Sequence, residues 1–200
     1  MKRVVILGSG NGTNLSAIFN YVKEANLDIE IFAISDVENS GFLKRAKNHG
    51  IFYELIDRKL GREKQENMLF CKLKELSPDL IALAGYMRIL PANIVDAFRW
   101  KIINLHPSLL PAFRGSHAIK DAFLSGVKWT GVTVHYVDEG LDTGQIIAQI
   151  PVPILNGDSL DTLESRIHEA EHFMYPRVIV KILGGEKFEG AFECQRQERT

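Results

Sequence analysis

KIINLHPSLLPAFRGSH, residues 101–117, packs a short apolar strand, a histidine, two prolines and a glycine turn into one stretch. Ile102 and Ile103 read as the end of a buried parallel strand. Asn104, a neutral donor and acceptor, follows, and then His106, the side chain suited to carrying protons near neutral pH. Ligands of open α/β sheets bind beyond the carboxyl ends of strands, where this reading puts both residues. Pro107 and Pro111 forbid helix through the turn, so the chain after His106 takes an extended path that aims side chains into a cleft. The plain alternative is a strand and a stiff loop whose histidine only caps a neighbour.

Working outward, strands and helices alternate. Val4 to Leu7 is an apolar strand running into Gly8, Gly10 and Gly12, after which Leu15, Ile18, Phe19 and Val22 recur at helical spacing. Residues 29–34 and 51–56 read as strands, 41–49 as a short helix, and 62–76 as a charged helix stopped by Pro78. Asp79 to Ala84 is a fourth strand, a helix begins near Pro91, and the NLHP strand is the fifth. This spacing predicts a Rossmann-like α/β fold, a mostly parallel sheet with helices on both faces. Thr130 to Val137 and Gln145 to Val152 leave little room for a crossover helix, so some antiparallel pairing is expected in the C-terminal part. A last helix, from Ser159 to Leu183, carries Leu160, Leu163, Ile167 and Ala170 on one face, with a kink expected at Pro176.

A chain of 200 residues fits a single domain and buries roughly 70% of its unfolded surface. The expected division is an N-terminal phosphate-binding half of about 1–100, a catalytic half of about 101–183, and a short polar tail, 184–200. Lys plus Arg number 24 against 25 for Asp plus Glu, so bulk charge suggests neither a nucleic-acid nor a membrane partner. Cys71 and Cys194 are two distant thiols, which argues for a reducing, cytoplasmic setting. The apolar run from Val4 to Leu7 is too short for a signal peptide or a membrane span.

Three further stretches carry chemistry. The loop GSGNGT, residues 8–13, lies between a strand and a helix and offers free backbone N–H groups to an anion. Thr13 stands where a dinucleotide fingerprint needs its third glycine, so a phosphate without a dinucleotide fits better. Asp36 keeps a nicotinamide enzyme open as a rival, in the part of the ribose-binding acid. GYMRIL, Gly85 to Leu90, can wall a pocket for a flat heterocycle, or its Met87, Ile89 and Leu90 are simply core. In TVHYVDEGLDTG, residues 133–144, a carboxylate that reaches His106 would favour its charged form and fix its tautomer. His135, Asp138 and Asp142 are spaced plausibly for a metal, but no second histidine or thiol completes a ligand set, and no metal is expected.

GNGTN, GYMRIL, NLHPSLLP, HYVDEGLDTG and EHFMYP, in that order, make the chain resemble the folate-dependent phosphoribosylglycinamide formyltransferases along essentially its whole length. The resemblance implies a formyltransferase fold and transfer of a formyl group from 10-formyltetrahydrofolate to the amine of 5-phosphoribosylglycinamide, in purine synthesis. By similarity Asn104, His106 and Asp142 are the catalytic trio; Gly12, Thr13 and Asn14 hold the substrate phosphate; and Glu171 binds the glycinamide portion. Arg62 and the segment Met87, Arg88, Ile89 and Leu90 contact the folate on this reading, with Asp138, Glu139, Gly140, Leu141 and Asp142 closing over its pterin ring beside Asn104. One departure is Arg114, where many relatives carry proline; this HxSLLPxxRG form is similar to methionyl-tRNA formyltransferases.

An amine attacking a formamide-like carbon creates an oxyanion and must pass a proton to the departing nitrogen. Asn104 and a protonated His106 can donate to that oxyanion, while Asp142 keeps the imidazolium formed. Neither cysteine sits in a motif, so direct transfer is expected. Methionyl-tRNA formyltransferase normally adds a C-terminal tRNA-binding domain and formyltetrahydrofolate deformylase an N-terminal regulatory one, for which this chain is expected to leave no room. A non-enzymatic nucleotide-binding module is the alternative from another class. The expected state is a monomer or homodimer binding only small molecules.

Overall fold

The computed structural model describes residues 1–184. Strand β1 (Lys2–Leu7) is central, and Val4 to Leu7 are wholly buried because side chains alternate between two covered faces. Val4 and Ile6 pack with helices α1 (Thr13–Glu24), α2 (Gly41–Asn48) and α6 (Leu160–Leu183). Val5 and Leu7 pack with α3 (Arg62–Leu76) and α4 (Ala92–Ala97). The remaining strands are β2 (Ile29–Ser35), β3 (Phe52–Leu55), β4 (Leu80–Leu83), β5 (Ile102–His106), β6 (Trp129–Tyr136) and β7 (Ile146–Pro153). Their spatial order is β3-β2-β1-β4-β5-β6-β7. The first five in that order are parallel, and β6 and β7 add antiparallel pairs, as the missing crossover helix requires.

Sequence reading puts the buried end of the strand at Ile102 and Ile103 while naming NLHP as the fifth strand, and β5 does continue through His106. Its parallel partner β4 runs out at Leu83↔Asn104, but antiparallel β6 carries the pairing on, with Asn104↔His135 and His106↔Thr133. A helix that the alternation did not suggest, α5 (Ala118–Ser125), follows the proline loop and packs with α6. Its eight residues, AIKDAFLS, are too few to set up a visible period.

Helix α6 starts with a capping box in which Ser159 Oγ accepts the Thr162 N–H and Thr162 Oγ1 accepts that of Ser159. It continues through Pro176 to Leu183. The expected core face is seen at Leu163 and Ile167, both fully buried, while Leu160 and Ala170 lie half-buried at its margin. The Tyr175 hydroxyl reaches into the sheet and donates to the Leu83 carbonyl at 2.8 Å, tying α6 to the end of β4. No helix of the described residues is long and apolar enough to cross a membrane. Beyond Gly184 the polar tail, with Cys194, lies outside the described residues.

Candidate active site

Alternation along β5 puts Asn104 and His106 on the same sheet face as Ile102, the face that α3 and α4 cover further along. Directly opposite residues of an antiparallel pair share a face, so His135 and Thr133 of β6 project beside them. Here two loops, 107–117 and 137–145, do the covering. His106 is 4% exposed, His135 2% and Thr133 wholly buried.

The first loop is held from below. Thr133 Oγ1 donates to the Ser108 carbonyl at 2.6 Å and accepts the Leu110 N–H at 3.1 Å and the Gln149 amide at 2.9 Å, so its one proton and both lone pairs are used. Ser108 Oγ in turn donates to the Ala112 carbonyl at 2.5 Å. Thus anchored, the loop delivers two backbone groups to the site. The Phe113 carbonyl lies 2.8 Å from His106 Nε2, and the Gly115 N–H donates to Asp142 Oδ2 at 2.9 Å. Arg114, between them, is exposed.

The second loop brings in Asp142, whose backbone has φ +52. Its side chain, 9% exposed, lies 3.5 Å from His106 Nδ1 and 3.7 Å from His135 Nε2. The Asn104 amide nitrogen is 3.4 Å from Asp142 Oδ1 and 3.2 Å from His135 Nε2. His135 Nδ1 meets the Tyr136 carbonyl at 2.7 Å and must donate there, so a neutral His135 presents its Nε2 lone pair to Asn104. Neighbouring His135, the Gly115 N–H and the His106 ring together pull the Asp142 carboxyl from 3.8 down to about 2, against the opposing effect of its burial. At 3.7 Å the His135 contact is too long for a hydrogen bond, which leaves the Gly115 amide as the firmest of these. Sequence reading named Asn104, His106 and Asp142 and passed over His135 as part of this group. Its one signal was the HY pair at a strand end, whose pairing with Asn104 the sequence does not reveal.

On the opposite face, the glycine loop leads into α1. Gly12 has φ +78, and no side-chain oxygen caps the helix. Ser16 N–H is the first amide turned back into it, to Gly12 O at 3.2 Å, so the earlier ones point outward. A Cβ on Gly12 would meet the Phe42 backbone at 2.5 Å, so this glycine is also required for packing against α2. Asn14 Nδ2 donates to Glu171 Oε2 at 2.9 Å, and His168 Nδ1 meets the same oxygen at 3.0 Å. Glu171 is 5% exposed, and the Asn14 Oδ1 atom is buried without a partner among the described residues.

The GYMRIL segment separates by side chain. Leu90 is core, whereas Met87 and Ile89 are 67% and 66% exposed, so only these two could offer apolar side chains to a ligand. In the 138–144 loop Asp138 Oδ1 accepts from Gly140 N–H at 3.1 Å and Thr143 Oγ1 at 2.6 Å, so it shapes the loop; Glu139 and Leu141 are exposed. Arg62 opens α3 and is bonded to Glu66 at 2.7 Å. Asp36, the acid of the nicotinamide rival, is 1% exposed and held by Ser9 at 2.6 Å and Arg58 at 2.8 Å, so it is not free to bind a ribose.

The formyl transferase family model matches residues 2–179. A phosphoribosylglycinamide formyltransferase of Bacillus subtilis is 44% identical over 194 residues, 94% of this chain and 100% of that protein. The trifunctional purine biosynthetic protein adenosine-3 of Drosophila melanogaster is 42% identical over 92% of this chain, which spans 14% of that longer protein. The crystal structure of glycinamide ribonucleotide transformylase 1 from Geobacillus kaustophilus superposes with a TM-score of 0.88 at 42% identity, covering 92% of this chain and 100% of that one. The Asn104, His106 and Asp142 cluster thus sits in a chain that belongs to the formyl transferase family, among its phosphoribosylglycinamide formyltransferases.

Proposed function

We propose that this enzyme transfers the formyl group of 10-formyltetrahydrofolate to the amine of 5-phosphoribosylglycinamide, in one direct step at Asn104, His106 and Asp142. The observation that carries the reading is the convergence of Asn104 Nδ2 and His106 Nδ1 on the Asp142 carboxylate, at 3.4 and 3.5 Å. The two ligand sets reach it from opposite faces of the sheet. Gly12, Thr13, Asn14 and Glu171 hold the phosphate and glycinamide parts on the α1 and α6 side. Met87 to Leu90 and the 138–142 loop hold the pterin on the other, where Met87, Ile89 and Leu141 offer exposed apolar surface to a flat ring. Arg62 contacts the outer part of the folate.

As the amine nitrogen bonds to the formyl carbon, charge grows on the formyl oxygen and Asn104 donates to it. The 3.4 Å contact to Asp142 is weak enough for that amide hydrogen to turn to the substrate. His106 donates from Nδ1, and Asp142 balances the imidazolium or orders a water that takes the amine's proton. The bond to the folate nitrogen then breaks as that nitrogen gains a proton. The widely spaced thiols support a cytoplasmic, reducing setting. Supplying phosphoribosylglycinamide, initiator methionyl-tRNA and water as competing acceptors tests the reading. Formyl transfer to the first alone is expected, and preference for either other acceptor refutes it.

A further inference from the structure

We infer that Ser9, with Asp36 behind it, is a positioning residue that links the phosphate loop to the folate segment, so that each substrate improves the binding of the other. This rests on the substrate assignment above and adds to it a path between the two sites. Strand β1 lies between β2 and β4, so only its carboxyl end can touch the ends of both. Ser9, 8% exposed, sits at that end, three positions before Gly12. Its Oγ donates to Asp36 Oδ1 at 2.6 Å, beyond β2, and accepts the Met87 N–H at 3.0 Å, beyond β4. Its own N–H donates to the Gly85 carbonyl at 3.1 Å. Two bonds therefore fix the start of GYMRIL against the glycine loop.

The direction of these bonds gives Asp36 its role. A hydroxyl that donates to a carboxylate becomes a better acceptor, so the charge on Asp36 strengthens Ser9's hold on Met87. Arg58 closes the chain with a guanidinium 2.8 Å from Asp36 Oδ2, and its own N–H bonds to the Asp36 carbonyl at 3.1 Å. The 58–61 segment that leads to Arg62 is thereby tied to the same carboxylate. A phosphate that orders residues 8–14 also orders 85–90, and the coupling is reciprocal.

The test measures dissociation constants for phosphoribosylglycinamide and for tetrahydrofolate, which has no formyl group to transfer, each with and without the other. Wild-type protein should bind each more tightly in the presence of its partner. Ser9→Ala, which removes both bonds of the hydroxyl, should weaken tetrahydrofolate about tenfold, the ratio expected for losing the one that fixes Met87, and bring the linkage to one. Ser9→Thr, which keeps the hydroxyl, should retain both, and Arg58→Gln, at a half-exposed site, should move both in the same direction as Ser9→Ala. A wild-type linkage of one overturns the inference, as does Ser9→Ala that lowers the Tm while leaving both quantities unchanged. Failure of wild-type protein to bind tetrahydrofolate at all would instead remove the substrate assignment.

Discussion

The Phe113 carbonyl lies 2.8 Å from His106 Nε2, and this bond leaves one edge of the imidazole for chemistry. A carbonyl only accepts, so Nε2 carries hydrogen in both protonation states and Nδ1, facing Asp142 at 3.5 Å, is where the proton comes and goes. In 15N NMR spectra at high pH, His106 should show a protonated Nε2 and a bare Nδ1. The reverse pattern would rule out proton transfer from Nδ1.

Asp142→Asn keeps the size of the side chain and removes its charge. It should lower kcat by about 10²–10⁴-fold, the range for a lost proton-transfer partner, with KM changed far less. His106→Ala should be at least as damaging, and the double variant little worse than the more damaging single one, because residues acting as a unit are not additive. Independent losses that multiply in the double variant would show that the two act separately.

Asp142 also makes a pH prediction. Its carboxyl titrates near 2 in the folded protein against 3.8 for the free group, so the stability it supplies is fully present above about 4 and is lost as pH falls through 2. Relative to Asp142→Asn, wild-type protein should lose its stability advantage between pH 4 and 2. An advantage that persists unchanged to pH 2 would remove the electrostatic account. By the same reasoning, any acid limb of kcat/KM above pH 4 belongs to a group other than Asp142.

Thr133 supports the loop that bears Phe113 and Gly115. Thr133→Val is close in shape but strands the Leu110 N–H and the Ser108 carbonyl in a buried site, at a cost of about 1–3 kcal/mol. A lower Tm and a lower kcat should appear together, with KM for both substrates nearly unchanged. Destabilisation with full kcat would mean that the loop keeps its place without this anchor.

The β/α alternation and the Asn104 to His106 strand end were legible because parallel strands buried on both faces are continuous apolar runs, as at Val4 to Leu7. That a carboxylate of the 138–142 loop reaches His106 could be anticipated from the acidic loop; that it is Asp142 came only from the resemblance. What could not be read was register. His135 joins the site only because β6 pairs antiparallel with Asn104↔His135 opposite each other, across 31 residues of sequence. Asp36 looked like a ribose acid because it follows β2, yet whether such a carboxylate is free depends on Ser9 and Arg58. The exposure of Met87 and Ile89 beside buried Leu90 likewise depends on how the segment leaves β4.

The last prediction concerns the Glu171 end of the site. The Glu171 carboxylate beside His168 raises the histidine's pKa above the ordinary 6.5, with Glu164 adding to the effect and burial opposing it. A raised pKa stabilises the fold below the unfolded value and ceases to do so as pH climbs through the folded one. His168→Gln should therefore lower the Tm at pH 6 and have little effect at pH 9. Because His168 is about half exposed, the difference should be small. His172, stacked on it at 6.3 Å, works the other way: burial lowers its pKa, so it disfavours the folded state as pH falls below 6.5. The difference between wild-type protein and His168→Gln isolates His168 as long as His172 is unchanged in both. Glu171→Gln should remove most of the pH dependence of that difference, since the larger of the charges that create it is gone and only the weaker effect of Glu164 remains. It should also raise KM for phosphoribosylglycinamide more than it lowers kcat, because Glu171 holds Asn14 at the start of α1. A Glu171→Gln enzyme with unchanged KM and a large fall in kcat would place Glu171 in the transfer step itself.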